Sequence, residues 1–398
     1  MKPEVLFLAH RIPYPPDKGD KIRSWRLLAF LAERYRVHLA CFADDPRDLS
    51  HQAFLETLCE SATIIPLNPR TTRIQSIAGL FSGAPLSFRY FHHAKMAAAV
   101  RELRKKPLAA EIVFSSSMAP YIENPVVGRK RLVDFCDADA EKWRGYAQDA
   151  KGPIKNLYAR EARTLAHMET QIVNWADASF AISEEEAAIF NARENTAKKV
   201  AWFSNGVDTV FFDPYASGIA DAPAHDCVFT GAMDYRANVD GVLDFMKSVW
   251  PALRKGKPDA SFAIVGANPS PSIKALDGKD GVTVTGRVDD IRPWLAGAKI
   301  AVAPLRVARG LQNKVLEAMA MAKPVIASPE AMTGIAAPRD AAVIASSDEA
   351  AASSILALLN DIEAREHMGR AARHFVLSRH QWDEALKPLE EKLKALGL

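Results

Sequence analysis

Short apolar runs alternate along the chain with stretches whose apolar residues recur at helical spacing. Runs of this length, rich in Val, Ile and Ala and bounded by turn residues, read as strands buried on both faces. The first series lies at residues 5–9, 37–42, 63–66, 112–114, 132–136, 178–182 and 200–203. A second lies at 227–230, 261–265, 282–285, 300–303, 325–327 and 342–344. Helical periodicity occupies the intervals, as at 21–33, 157–175, 239–254 and 350–359. Strand–helix alternation of this kind predicts an α/β fold with parallel sheets covered by helices on both sides. Residues 213–225, rich in Pro, Ala, Gly and Asp and without periodicity, separate the two series and read as a linker. The expectation is two tandem doubly wound, Rossmann-like domains, 1–212 and 226–378. Segment 379–398 adds a final amphipathic helix, about 382–396, that crosses back onto the first domain. Ligands of such sheets sit outside the carboxyl ends of the strands, so two domains facing each other would form a cleft.

At 398 residues the chain is too long for one ordinary core. A net charge of +3, no basic tail and no aromatic–basic interleaving argue against a nucleic-acid partner. Cys41, Cys59, Cys136 and Cys227 are far apart and lack metal-ligand spacing. Lone cysteines in apolar runs behave as small hydrophobes, which fits a reducing, cytoplasmic setting. The apolar run at the N-terminus is too short for a signal peptide, and no run reaches the length of a membrane span. Neither G-x-G-x-x-G nor G-x-x-x-x-G-K-[ST] occurs, which removes the usual support for nicotinamide or P-loop nucleotide use.

The densest chemistry lies at 304–328, where a strand runs into a basic loop, a glycine, a short helix and another strand. A helix N-terminus presents unpaired N–H groups and partial positive charge, so after a glycine it can receive a phosphate. Arg306, Arg309 and Lys314 add cations, and Gly310, Leu311 and Gln312 would offer backbone N–H groups. Glu317 lies three residues beyond Lys314 on the same face. The rise from Leu311 to Glu317 is roughly 9 Å, enough to hold a diphosphate at one end and a ribose diol at the other. The plain alternative is a solvated Lys314–Glu317 pair on a core helix, worth a few tenths of a kcal/mol at most.

Several blocks together resemble the family 4 glycosyltransferases, which have the two-lobed GT-B fold. They are Asn205-Gly206-Val207-Asp208, Phe229-Thr230-Gly231-Ala232, Thr285-Gly286-Arg287-Val288, Leu316-Glu317-Ala318-Met319-Ala320 and Lys323-Pro324-Val325-Ile326. Their order and spacing match over nearly the whole chain. Residues 231–240 and 134–143 further resemble sugar transferases of PEP-CTERM/exosortase exopolysaccharide systems. The resemblance implies a sugar moved from a nucleotide diphosphate donor, UDP- or GDP-linked, to a glycan or lipid-linked acceptor. It also implies retention at the anomeric carbon, with no metal and no other cofactor. Donor-side roles then fall on Gly231, Arg236, Arg287, Arg306, Arg309, Gly310, Leu311, Gln312, Lys314 and Glu317. The chain departs from the family pattern at Arg309, where a glutamate is usual. It departs again in the loop Met233-Asp234-Tyr235-Arg236, which lacks the usual Arg and Lys.

In the first domain the resemblance places a glycine-rich loop at 17–21, of which Gly19 is the one glycine, so Gly19 and Asp20 become acceptor-side candidates; His10, at the end of the first strand, either lines the cleft with them or is structural. Asp20 could equally cap the following helix. Asp137, with Lys314 and Glu317, completes the candidate catalytic set, reaching the transferred sugar or acceptor from a strand end. Its alternatives are an N-cap and, with Asp139, a DxD metal pair, which the architecture of 227–328 argues against. Residues 70–106 carry eight Lys/Arg against Glu102 alone, with Ile74, Ile77, Leu80 and Phe81 interleaved. Such a segment either docks peripherally on anionic lipid at the inner face of the membrane or is an ordinary helix with one core face. The favoured reading is the ordinary helix.

Retaining transfer needs no strong base if the leaving diphosphate takes the acceptor's proton, so preorganised cations suffice. The expected protein is a cytoplasmic glycosyltransferase of exopolysaccharide biosynthesis. A catalytically silent homologue that binds sugar nucleotide as a partner subunit is the alternative. A two-lobed sugar-nucleotide epimerase is a third reading, disfavoured by the Glu-Ala-Met-Ala and Pro-Val-Ile blocks.

Overall fold

Each apolar run predicted as a strand is one in the computed structural model, which describes residues 2–398 apart from 17, 18, 78, 220, 222 and 309. The chain divides into two compact units, Met1–Phe203 with Lys387–Leu398, and Ser204–Leu386. The boundary thus falls at Phe203, ahead of the stretch read as the linker, and residues 204–212 belong to the second unit.

The first unit holds β1 (Glu4–Ala9), β2 (Arg36–Ala43), β3 (Ser61–Pro66), β4 (Leu108–Phe114), β5 (Lys130–Cys136), β6 (Ala178–Ala181) and β7 (Ala201–Trp202). They form one sheet in the order β3-β2-β1-β4-β5-β6-β7, and every pairing is parallel. The second holds β8 (His225–Thr230), β9 (Phe262–Val265), β10 (Val282–Gly286), β11 (Ala298–Ala303), β12 (Val325–Ala327) and β13 (Ala342–Ile344), in the order β10-β9-β8-β11-β12-β13. Both sheets reverse direction once, between β1 and β4 and between β8 and β11. In a doubly wound sheet that reversal leaves a crevice at the carboxyl ends of the two central strands. The central strands are buried along almost their whole length, which is why they read as continuous apolar runs.

Helix boundaries depart further from expectation. The helical pattern at 239–254 is two helices, Arg236–Ser248 and Trp250–Gly256, with Pro251 opening the second. The final helix is also broken: Trp382–Ala385 stays with the second unit, and Lys387–Ala395 joins the first, carrying Leu389 and Leu393 inward. Pro at the start of a helix sacrifices an N–H that lacks a partner there anyway, so Pro251 and Pro388 suit these restarts. The basic stretch 70–106 is not one amphipathic helix but several short ones, among them Pro69–Ser76, Leu86–Tyr90 and Ala94–Leu103. Ile74 and Ile77 do not face a core; they are 71% and 53% exposed. The side chain of Phe81 lies outside the described residues.

The helix Gly19–Arg34 is tied to the first sheet by a charge pair deep in the unit. Arg23 and Asp134, on β5, are both almost fully buried and meet twice, Nε to Oδ2 at 2.7 Å and Nη2 to Oδ1 at 3.1 Å. The guanidinium also donates to the Phe203 carbonyl at 3.0 Å and lies 3.8 Å from the centre of its ring. Removing one partner of such a pair strands the other charge in the interior. Asp134→Ala is therefore expected to cost about 3–5 kcal/mol, read by denaturant unfolding with hydrogen exchange at β1 and β5. A loss comparable to that of a surface pair, below about 1 kcal/mol, would contradict this assignment.

Candidate functional site

The switch point of the second sheet brings together residues far apart in sequence. β8 ends at Thr230 and is followed by Gly231, whose φ of 151° belongs to the region that favours glycine. A side chain on Gly231 would fall 2.7 Å from Asn238 Nδ2 and 3.5 Å from Lys314 Cε. Opposite it, a Cβ on Gly266 would stand 1.7 Å from the Gly231 carbonyl oxygen. Two glycines thus allow the turns after β8 and β9 to touch. Beyond β11 the chain passes Pro304 and Leu305, and Ser328 pins it there by donating from Oγ to the Leu305 carbonyl at 2.6 Å. Gly310, at φ 62°, then turns the chain into the helix Asn313–Ala320.

That helix buries Val315, Leu316, Ala318 and Met319 and leaves Lys314 and Glu317 half-buried on its other side. Gln312 occupies the cap position without a side-chain cap bond, its Nε2 donating to the Gly310 carbonyl at 3.2 Å. Lys314 Nζ donates to Asn238 Oδ1 at 2.6 Å and lies 5.0 Å from the centre of the Phe229 ring. Asn238 is in turn fixed by donating from Nδ2 to the Ala232 carbonyl at 2.8 Å. The simple Lys314–Glu317 surface pair is not formed. Among the described residues, the Glu317 carboxylate makes no hydrogen bond and no ion pair. Burial pushes the Lys314 ammonium down to about 8, against the charge of Glu317, which works to raise it. Burial likewise pushes the Glu317 carboxyl up to about 7, with Lys314 opposing. The result is a cation held by an amide, and a carboxyl with open acceptor capacity, at a helix N-terminus.

Other cations named from the sequence are placed elsewhere or already engaged. Arg306 is held by Asp348 and by Asp244, the latter at 3.6 Å. Arg236 is well exposed at the start of its helix and pairs with Asp240 at 3.3 Å. Arg287 is exposed immediately after β10, and Arg309 lies outside the described residues. Of the named cations that the structure describes, Lys314 is the one set against Gly231. Asn238 and Phe229 join the site without having been legible as site residues in the sequence, where their sole signal is proximity to Gly231.

At the switch point of the first sheet, His10 follows β1 and donates its backbone N–H to the Phe114 carbonyl at 2.9 Å. Its ring stacks on Phe114 at 5.5 Å and meets the Asp20 carboxylate at 3.2 Å. Asp20 also receives Arg11 at 2.6 Å, and Arg11 bridges onward to Asp44 at 2.8 Å. Burial opposes ionisation of Asp20, but the bonds from His10 and Arg11 outweigh it and hold the carboxyl well below the usual range. Asp20 sits inside the first turn of the helix Gly19–Arg34 and acts in this network rather than as its cap. Gly19 begins that helix with open space around it; residues 17 and 18 of the predicted loop lie outside the described residues.

Asp137 follows β5, after Cys136 at φ 64°. It precedes the cap position of the helix Asp139–Asp149, which Ala138 holds. Glu186 accepts the Ala138 N–H at 2.7 Å and Glu169 the Ala140 N–H at 3.3 Å. Burial, helped by the charge of Asp139, raises the Asp137 carboxyl to about 6. Among the described residues no group of three or more His, Cys, Asp or Glu side chains is placed to hold a metal ion.

Residues 224–361 match the family model described as glycosyl transferases group 1. No curated protein sequence matches the chain. Among solved structures, sucrose-phosphate synthase from Thermosynechococcus elongatus is similar with a TM-score of 0.72 at 17% identity, covering 100% of this chain and 99% of that one. Anabaena HepE in complex with UDP and glucose gives 0.67 at 15% identity, over 98% and 99% of the two chains. WaaG, a glycosyltransferase involved in lipopolysaccharide biosynthesis, gives 0.64 at 16%, again over 98% and 99%. The architecture is therefore GT-B, with two Rossmann-like domains, and the matched domain makes the protein a glycosyltransferase.

The glycines of the two switch regions give a direct check. Gly231→Ala, strained at its φ and crowding Asn238, is expected to cost about 1–3 kcal/mol of stability in the second unit. Gly19→Ala, with nothing near its Cβ, should stay within about 0.5 kcal/mol of the parent. Equal denaturant midpoints for the two variants would show that the close approach at Gly231 is not required.

Proposed function

We propose that the protein moves a sugar from a nucleotide diphosphate to a polysaccharide or lipid-linked acceptor, with retention at the anomeric carbon, in exopolysaccharide biosynthesis. The observation that carries this reading is the arrangement of Gly231, Asn238, Lys314 and Glu317 at the switch point of the matched domain. The diphosphate would lie over the glycine turn and the helix N-terminus, where Lys314 meets its charge. Glu317 would accept the ribose hydroxyls, whose donors match its open oxygens. UDP is the first nucleotide to test, since the HepE neighbours carry it; a GDP-linked donor is the other candidate.

In the transfer, the bond from the anomeric carbon to the diphosphate oxygen breaks and a bond to an acceptor hydroxyl oxygen forms on the same face. The hydroxyl proton passes to the departing diphosphate. Negative charge grows on that leaving group, and a preorganised ammonium and helix N-terminus stabilise it without moving. No metal is assigned to this step. Acceptor contacts are assigned to the first unit, with His10, Gly19, Asp20 and Asp137 as candidates. The sequence blocks that resemble exopolysaccharide transferases support the pathway.

Two variants test the site. Lys314→Ala is expected to lower turnover about a hundredfold or more by removing charge stabilisation of the leaving group, with a smaller effect on uridine binding. Glu317→Ala should instead weaken uridine and UDP alike, by about tenfold, through loss of a charged acceptor. Binding is measured calorimetrically with EDTA present, and turnover by nucleotide release from UDP- and GDP-sugars. Unchanged turnover in Lys314→Ala would remove phosphate from this helix. Donor binding without release or transfer in the parent protein would favour the silent partner subunit.

A further inference from the structure

A cavity of about 610 Å³ opens in the first unit, a volume within the range of small-ligand pockets. Three stretches of the basic segment and its neighbours line it, at 84–92, 97–105 and 117–126, together with Met168. Pro85, Phe88, Pro120, Val126 and Met168 make much of its wall apolar. Arg89, Arg101, Arg104 and Lys105 also line it, and no Asp or Glu does. Two of those cations are paired nearby: Arg104 Nε lies 2.7 Å from Glu111, which Arg129 shares at 2.8 Å, and Lys105 Nζ lies 2.7 Å from Glu102. The side chains of Arg89 and Arg101 have no acidic or hydrogen-bonded partner among the described residues.

An apolar pocket with two uncompensated guanidinium groups matches neither a sugar nor a small inorganic anion. A sugar would leave the apolar wall unused and the charges unmet. Inorganic phosphate would meet the charges but not the wall. A molecule with a phosphate head and a hydrocarbon body satisfies both, through bidentate arginine contacts and apolar burial. The surface beside the pocket points to a bilayer as its source. Ile74 in the helix Pro69–Ser76, Ile77 just after it and Leu80 in the short helix Gly79–Ser82 are exposed, with Arg70 and Arg73 in the first of these helices. This segment is anchored rather than loose. Arg160 donates to the Gly79 carbonyl at 2.7 Å, and Glu161 accepts the Leu86 and Ser87 N–H groups at 2.8 and 3.0 Å.

We propose that this pocket binds one phospholipid of net negative charge, its phosphate head between Arg89 and Arg101 and its hydrocarbon along Phe88, Pro120 and Met168. Ile74, Ile77 and Leu80 rest on the bilayer that supplies it. The proposal concerns the first unit alone and does not depend on the donor site.

The test uses the full chain and dodecyl phosphate below its micelle concentration, with inorganic phosphate and dodecyl maltoside as separate arms. Vesicles of phosphatidylcholine, with and without phosphatidylglycerol, form a sedimentation arm. Dodecyl phosphate is expected to bind at least about tenfold tighter than either control, and Arg89→Gln with Arg101→Gln to remove about that factor, as loss of charged hydrogen bonds would. The exposed Arg101→Gln alone gives an intermediate loss at an unchanged melting temperature. Sedimentation should require phosphatidylglycerol and fall in the double variant. Equal binding of inorganic phosphate would make this a free-anion site, and equal binding of dodecyl maltoside a purely apolar one. Either result, or full affinity in the double variant, overturns the proposal. UDP affinity of the same variant, measured in parallel, reports on the second unit independently.

Discussion

The ammonium of Lys314 is half withdrawn from water and given an amide oxygen where a carboxylate would be usual. An ion pair would satisfy that charge and close the site; an amide orients it and leaves it available. Burial of an incompletely compensated cation costs stability, which is the sense of its lowered pKa. The rest of the switch point can be understood as what keeps the lysine there. Gly231 and Gly266 let two turns approach without side chains, and Asn238 is locked onto Ala232 so that its oxygen faces Lys314. Gly241 seats its helix against the Pro304 carbonyl, where a Cβ would stand at 2.8 Å.

The first unit solves the same topological problem with the opposite electrostatics. Its switch point also gathers charged side chains, but His10, Asp20, Arg11 and Asp44 answer one another in a chain of contacts. Its most buried pair, Arg23–Asp134, is bidentate and joined to the Phe203 carbonyl, as an interior ion pair must be to offset its lost hydration. Among the cations that line the pocket of that unit, Arg89 and Arg101 have no such answer. Satisfied charge holds the architecture together, and the unpaired cations of the pocket are where the proposed anionic head would sit.

The strands were legible because fully buried parallel strands leave an apolar run in the sequence, and even the short β12 and β13 were read at their observed limits. Helix ends were not, since a proline inside a periodic stretch allows either a kink or a restart, as at Pro251 and Pro388. Lys314, Glu317 and Gly231 stood out by spacing and family resemblance. Asn238 did not, because an asparagine seven residues after a glycine carries no signal until the fold turns it inward. Arg306 and Arg236 looked equivalent to Lys314 as cations. Only the positions of Asp348, Asp244 and Asp240 distinguish them. The pocket of the first unit draws on segments separated in sequence, so its charge was visible but its shape was not.

The central claim is that a diphosphate meets Lys314 while a ribose meets Glu317, and proton linkage tests it most directly. A phosphate beside Lys314 raises an ammonium pKa that starts at about 8, so binding above that pH takes up protons. Hydroxyl donors to Glu317 lower a carboxyl pKa that starts at about 7, so binding below that pH releases them. Calorimetric titration of UDP in buffers of different ionisation enthalpy reads both. The account predicts release on the acid side and uptake on the basic side; Glu317→Gln reduces the first to the share that the UDP terminal phosphate supplies, and Lys314→Met abolishes the second. UDP binding without net proton exchange at either pH would contradict it.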